Sequence, residues 1–262
     1  MGKFATTKVD IVVTEIEGKR RALLRKSAYN RFDVNLLGLG DVSKEAKAID
    51  SIAAVFDLEG FTNFCKQIEP HLSVPLFLSE FLTWIFERLK AETLQKEYPE
   101  GVLLYSDLPY MLKFMGDGLL VLWDATNMPV VARRNVLVEA SEICNAYKSK
   151  FLPRIRKKVV DPPLGLRCGL ARGTVYSVGG GDDYVGSCIN MAARLQKLPG
   201  VSLAFNIRGF DLEGGQPAKF FTTGISVRKV SIRGIGDNEL IALRSRDLTS
   251  MGQNDAKLYR AV

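Results

Sequence analysis

Continuous apolar runs, amphipathic stretches and clusters of turn-forming residues divide this chain into elements before any chemistry is considered. Ile52 to Phe56 is an unbroken apolar run closed by Gly60, the pattern of a strand buried on both faces. Beyond Pro75, the residues Leu76, Phe77, Leu78, Phe81, Leu82, Ile85, Phe86 and Leu89 recur at three- and four-residue steps. That spacing predicts a strong amphipathic helix, with Trp84 and the phenylalanines in the core or an interface. Breakers between residues 95 and 110 predict a long connection into a strand at Met111–Met115, paired with a second strand at Leu119–Trp123 across Gly116-Asp117-Gly118. Val130 to Phe151 repeats the helical pattern, with Pro153 as its stop. A strand at Leu166–Leu170 follows Pro162-Pro163, and Val175–Val178, past Gly173, is its expected hairpin partner. A helix from Ile189 to Lys197 is stopped by Pro199-Gly200, and short strands are expected near 201–205, 227–232 and 240–243.

This order of elements specifies an α/β (α+β) fold with helices packed on one mixed sheet. With 262 residues there is room for one large domain, or for one domain and an extension. Residues 1–48, with a strand at Val9–Val13 and a basic amphipathic segment, read as the extension, and residues 49–262 as the domain.

Composition narrows the function classes. Apolar residues at 47% and charged residues at 25% are globular values, which sets disorder aside. The formal charge of +7 suits an anionic partner, either nucleic acid or a small polyphosphate. The densest basic cluster, Lys19, Arg20, Arg21, Arg25, Lys26 and Arg31, carries no groove-reading motif and reads as a solvated helix face, so no nucleic-acid partner is assigned. No apolar run approaches the roughly 18 residues needed to cross a bilayer. Asp10, Glu15 and Glu17 interrupt any leader-like apolar core, and the expectation is a cytoplasmic protein with no membrane partner. Met1, Gly2 and Thr6 match three positions of a myristoylation pattern, and no lipid is assigned on them. Four cysteines without CxxC spacing and a single histidine argue against zinc and against a disulfide framework. A nucleophilic triad would need His71, which in Glu69-Pro70-His71-Leu72 reads as a helix-entry residue.

Three segments carry chemistry. In Phe56-Asp57-Leu58-Glu59-Gly60-Phe61-Thr62 a carboxylate ends a buried strand, and a turn leads into a helix. Backbone N–H groups there can meet phosphate oxygens, while Asp57 and the Leu58 carbonyl can hold a divalent ion. Asp117 lies on the Gly116-Asp117-Gly118 turn, so if the two strands are neighbours the aspartates converge, and such a pair prefers magnesium or manganese. Either aspartate alone is equally a turn residue. Asn190 and Arg194, four apart on a predicted helix, leave one face and suit recognition of ribose and of charge on an α-phosphate.

Together these segments resemble the catalytic domain of class III nucleotidyl cyclases over about residues 50–245. The resemblance implies a ferredoxin-like palm core with a mixed, mainly antiparallel sheet. It implies two divalent ions, Mn2+ or Mg2+, on Asp57, the Leu58 carbonyl and Asp117, with Phe61 and Thr62 in the phosphate loop. It further implies Asn190 as the ribose-orienting residue, Arg194 as the transition-state arginine, Lys113 and Asp183 as base contacts, and Arg233 as a phosphate contact in place of the family's lysine. A head-to-tail homodimer with shared active sites follows, one chain giving the aspartates and the other the base, ribose and arginine contacts. The reaction implied is conversion of a nucleoside triphosphate to a 3′,5′-cyclic monophosphate and pyrophosphate.

The thirteen positions from Gly173 to Gly186 are about five fewer than the family's usual arm, and Gly179-Gly180-Gly181-Asp182-Asp183-Tyr184 takes its place, so that Asp182 could stand for Asp183. Lys113 with an acidic partner fits adenine, cytosine or uracil. The compact unit, and the stretch from Asp57 through Phe86 with Asn63-Phe64-Cys65 and Glu69-Pro70-His71-Leu72, resemble the bacterial pyrimidine cyclases of anti-phage signalling. UTP is the first-choice substrate, cyclic UMP the messenger and a separate cyclic-nucleotide-activated protein the effector; cytidylate or adenylate cyclase, or a non-catalytic nucleotide-binding domain, are the alternatives. Gly180-Gly181-Asp182-Asp183-Tyr184 is superficially similar to the diguanylate cyclase signature, but Asp57 and Asp117 already provide the metal pair.

Overall fold

The computed structural model describes residues 8–210 and 224–262. Met1, Gly2 and Thr6 of the myristoylation pattern lie outside the described residues. The chain divides into two compact units, one gathering the chain up to Ala48 together with Tyr176–Val185, the other Ile49–Val175 and Gly186–Val262.

In the first unit, β1 (Ile11–Ile16) and β2 (Lys19–Leu24) form an antiparallel hairpin with Val13 opposite Ala22, followed by the short helix α1 (Lys26–Tyr29). The expected helical face of the basic cluster is corrected here, since Lys19, Arg20 and Arg21 lie on a strand. The local reason is the Glu17-Gly18 turn, where both residues take positive φ (54° and 70°), the geometry that closes a two-residue hairpin onto the β-branched run of β1.

The second unit opens with β3 (Ala48–Glu59), α2 (Phe61–Phe64) and α3 (Pro70–Thr93). A small hairpin of β4 (Leu94–Tyr98) and β5 (Gly101–Leu104) fills the expected connection, before β6 (Met111–Phe114) and β7 (Gly118–Asp124). Next come α4 (Val130–Ala146), a π-helical turn at Tyr147–Phe151, α5 (Leu152–Ile155) and β8 (Gly165–Val178). The chain is completed by β9 (Asp183–Gly186), α6 (Ser187–Leu195), β10 (Leu203–Asn206), β11 (Ile225–Ile232), β12 (Gly236–Arg244), α7 (Ser245–Ser250) and α8 (Gln253–Ala256). The sheet runs β11-β12-β10-β8-β3-β7-β6. It is mainly antiparallel, with β8 and β10 as a parallel pair. This is the mixed α+β arrangement expected from the pattern.

The first strand runs Ile11–Ile16 rather than Val9–Val13, and three further boundaries differ from the pattern, each for a physical reason. Helix α3 starts at Pro70 rather than after Pro75: Glu69 turns the chain at φ 57°, Pro70 takes the first helical position, and Pro75 sits early enough to forfeit only one backbone bond. Helical structure also continues past Pro153, because the π-turn keeps both Tyr147 and Phe151 buried and Pro153 falls in the first turn of α5. Finally, Gly173 does not break the strand. Gly165–Val178 is one continuous strand, and the returning partner is β9 rather than Val175–Val178.

The core is aromatic. Phe77, Phe81 and Trp84 of α3 pack on Tyr147 and Phe151, with Trp84 and Phe151 centroids 5.0 Å apart and Tyr147 and Phe151 5.2 Å apart. Ile52, Ala54 and Phe56 of β3 join this cluster, while Ala53 and Val55 are also buried, so both faces of β3 are covered as its unbroken apolar run predicts.

Candidate active site

The site grows out of the pairing of β3 with β7. Asp57 stands opposite Gly118 in that ladder, and Leu58 N–H donates to the Asp117 carbonyl at 3.0 Å, which fixes the turn carrying Asp117 beside the end of β3. The chain then turns sharply at Gly60, whose φ of 85° is a left-handed value that favours glycine. The Phe61 ring is anchored inward, with centroids 6.0 Å from Phe64 and 6.3 Å from Phe77. Phe61 thus offers a ligand its backbone and holds the loop on the core with its side chain, whereas Thr62 is exposed.

Asp57 and Asp117 open onto one cavity of about 310 Å³, lined also by Leu58, Gly60, Phe61, Thr62, Asn63, Arg167 and Lys197. Arg167 Nη2 donates to Asp57 Oδ2 at 2.6 Å. Burial pushes the Asp57 carboxyl above the usual carboxylate range and the Asp117 charge adds to this, while the hydrogen bond and charge of Arg167 and the charge of Lys197 act against it. A carboxylate pair, Asp57 half-buried and Asp117 exposed, with two cationic side chains in the same cavity is an oxygen-donor site for a hard divalent ion. The residues present fit magnesium or manganese, with the Arg167 guanidinium lying where it would compete for Asp57. Two carboxylates and a carbonyl form a small ligand set, and among the described residues no cluster of three or more His, Cys, Asp or Glu side chains offers a metal site. A larger cavity of about 510 Å³ lies on the other side of the loop, between Asn63, Gln67 and Pro162, but neither Asp57 nor Asp117 reaches it.

Helix α6 positions the second group. Its apolar face, Cys188, Met191, Ala192 and Leu195, is buried, and Asn190 and Arg194 are exposed on the other. The helix approaches β8 closely because Gly169 has no side chain: a Cβ there would stand 2.2 Å from the Ala192 carbonyl oxygen. Arg194 lies by the turn after β11, where a Cβ on Gly234 would stand 3.4 Å from Arg194 Nη2, and this turn carries the exposed Arg233. Arg194 and the Arg233 turn therefore meet.

Of the residues singled out by sequence, Asp57, Leu58, Phe61, Thr62 and Asp117 line one cavity, and Asn190, Arg194, Arg233 and Lys113 do not line it. Lys113 is half-buried on β6, opposite Leu120. Asp183 belongs to the other unit, where its Oδ1 accepts from the Tyr184 N–H at 2.9 Å. His71 is an exposed residue in the first turn of α3, as its helix-entry context indicated. Arg167 and Lys197 were missed. For Arg167 the signal was present, a lone charge in the otherwise apolar run from Leu166 to Leu170; for an exposed lysine after a helix there was none.

No protein-family model and no curated protein sequence matches the chain. Among solved structures, the guanylyl cyclase Cya2 superposes with a TM-score of 0.55 at 17% identity, over 77% of this chain and 94% of that one. The adenylyl cyclase CyaB from P. aeruginosa superposes with a TM-score of 0.53 at 14% identity, over 77% and 96%. The chain thus has the fold of the class III adenylyl and guanylyl cyclase catalytic domains.

Proposed function

We propose that the chain is a nucleotidyl cyclase that converts UTP to 3′,5′-cyclic UMP and pyrophosphate, with residues 49–262 as the catalytic domain and residues 1–48 as an extension. The observation that carries this reading is the convergence of Asp57 and Asp117 on a cavity with Thr62, while Asn190 and Arg194 face outward on α6 without lining it. A head-to-tail homodimer would complete each site by bringing α6 of one chain to the aspartates of the other.

Asp57, Asp117 and the Leu58 carbonyl would hold the divalent ions, which when bound would supply positive charge to the triphosphate and make the attacking hydroxyl more acidic. The Thr62 hydroxyl and the amides of the Gly60–Thr62 loop bind phosphate oxygens. Asn190 orients the ribose, so that the 3′-oxygen attacks in line with the departing pyrophosphate. Arg194 meets the charge that develops at phosphorus, with Arg233 beside it on the phosphate chain. Lys113 reads the base edge. The choice of UTP rests on the short arm from Gly173 to Gly186 and on the resemblance of residues 57–86 to pyrimidine cyclases. That resemblance also supports a cytoplasmic messenger of phage defence acting on a separate effector. Among the described residues no helix is long and apolar enough to cross a membrane.

The test is incubation of the protein with ATP, GTP, CTP and UTP separately, with Mn2+ or Mg2+, and identification of products by mass. Cyclic UMP is expected, and Asp117→Ala should make none while keeping the far-UV spectrum. Cyclic CMP or cyclic AMP would overturn the choice of base, and no product from any triphosphate would overturn the activity in favour of a nucleotide-binding regulatory domain.

A further inference from the structure

A separate cavity of about 460 Å³ lies where the C-terminal end of α4 meets α7, lined by Cys144, Asn145, Lys148, Ser149, Ser202, Arg244, Arg246, Asp247 and Ser250. It shares no residue with the Asp57 cavity. Its floor is Arg244, only 1% exposed. This guanidinium donates to neutral groups alone: Nε to Ser141 Oγ at 3.2 Å, Nη1 to Ser202 Oγ at 2.9 Å, and Nη2 to Ser141 Oγ at 2.7 Å and to the Ser141 carbonyl. Among the described residues no carboxylate comes within salt-bridge distance of it. A buried charge that no carboxylate pairs with directly is expensive, and Asp247 reaches this one only through the Ser202 hydroxyl, so the neutral shell calls for an anion close by.

The one carboxylate in the cavity is already engaged. Asp247 Oδ2 accepts from Ser202 N and from Ser202 Oγ, both at 2.8 Å, and Oδ1 lies 3.9 Å from Arg246 Nε. The hydroxyl protons are also committed: Ser149 Oγ donates to the Asn145 carbonyl, and Ser250 Oγ to the Asp247 carbonyl. Of the five guanidinium N–H groups of Arg244, one on Nη1 remains. Arg246, which donates from Nη2 to Asn145 Oδ1, keeps Nη1. Lys148 also lines the cavity, its Cε standing beside Gly165 and near the Glu59 carboxylate. Three cationic side chains thus line a cavity that holds one carboxylate, and apart from the second amide N–H of Asn145, whose Nδ2 donates to Glu142 Oε1, the side-chain donors left carry positive charge. Such a set rejects cations and binds a tetrahedral dianion through its unprotonated oxygens, which accept.

We propose that this cavity is a phosphate-binding site, taking inorganic phosphate or the phosphate of a small monoester on Arg244, Arg246 and Lys148, apart from the site that binds nucleotide. The proposal does not depend on the cyclase reading. The rival counter-charge is Cys144 itself: burial works against its thiolate, but the Cys168 hydrogen bond and the Arg244 charge leave its pKa below the usual thiol range.

The test is calorimetric titration of the full chain with inorganic phosphate and with glycerol 3-phosphate, at ionic strength matched with chloride. Wild type is compared with Lys148→Ala/Arg246→Ala and with Arg194→Ala. Both cations of the double variant are largely exposed, so it should fold, which its far-UV spectrum checks. Binding to wild type and to Arg194→Ala is expected, weakened at least about tenfold in the double variant. Whichever of the two probes binds more tightly identifies the natural form, and either upholds the site. Loss in Arg194→Ala with none in the double variant would place phosphate at the nucleotide site and overturn the proposal. So would an absence of binding in wild type, and a thiolate absorbance that disappears in Cys144→Ser would then assign the counter-charge to Cys144.

Discussion

Glu139 of α4 is a buried carboxyl, 2% exposed, reached by no cationic side chain that pairs with it among the described residues. Ser106 Oγ donates to its Oε2 at 2.5 Å, and Thr93 Oγ1 lies 3.0 Å from its Oε1. Thr93 Oγ1 also lies 2.7 Å from the Leu89 carbonyl. A hydroxyl has one proton, so with that proton on the Leu89 carbonyl the Thr93 contact is complete only when Glu139 is protonated and donates. Burial is the main cause that lifts the Glu139 pKa from 4.5 to about 7, against the two hydroxyl contacts, which lower it. A carboxyl raised in the folded state holds its proton more tightly there than in the unfolded chain, so its stabilisation is fully present below 4.5 and is lost as pH rises through about 7. At about 1.4 kcal/mol per pH unit, the interval amounts to about 3 kcal/mol. Glu139→Gln keeps a donor and an acceptor in place and removes the titration. Urea unfolding at about pH 5 and about pH 8 should show wild type losing roughly 2–3 kcal/mol more than the variant, most of that total. Equal losses in the two proteins would refute a protonated Glu139 and the hydrogen-bond assignment with it.

Mixing an Asp57→Ala chain with an Arg194→Ala chain, each inactive alone, should restore activity to about a quarter to a half of wild type per dimer if chains exchange freely, since one site in each mixed dimer is whole; inactivity after demonstrated exchange would rule out shared sites. In Gly169→Ala the new Cβ would stand 2.5 Å from Gln196 N and 2.9 Å from Leu195 Cβ, so α6 must move off β8. Urea unfolding should show a loss of about 1–3 kcal/mol, and turnover should fall with it; unchanged stability would mean that α6 does not sit so close. Arg167→Met removes the guanidinium that occupies Asp57 Oδ2 and should tighten Mn2+ binding about fivefold by calorimetry, whereas weaker binding would make Arg167 a supporter of the metal site rather than its competitor.

The elements legible in sequence were those whose apolar pattern is long and strong. The run from Ile52 to Phe56 became the buried centre of β3, and the spacing from Phe77 to Leu89 became the core face of α3. Proline and glycine misled where tertiary packing overrode them. Pro153 did not stop a helix whose Tyr147 and Phe151 both belong in the core, and Gly173 did not break a strand that runs on from Gly165 to Val178. The Asp57 and Asp117 pairing was readable because each aspartate adjoins a buried strand, and antiparallel strands bring their ends together. What Arg167 and Lys197 do was not readable, because a cation acquires its role from the carboxylate it meets in space. The basic segment at Lys19–Leu24 carries charge without periodicity, and its strand state is set by its partner β1.

The outward placing of Asn190 and Arg194 on α6 has a kinetic consequence. On the proposed reading, a lone chain owns two half-sites and no whole one, so output per chain depends on how many chains find each other. Below the dissociation constant of the pair, messenger production grows with the square of the chain's abundance, and above it the growth becomes linear. Such a protein is silenced by dilution and awakened by accumulation or local crowding, and a modest rise in copy number near that threshold is amplified.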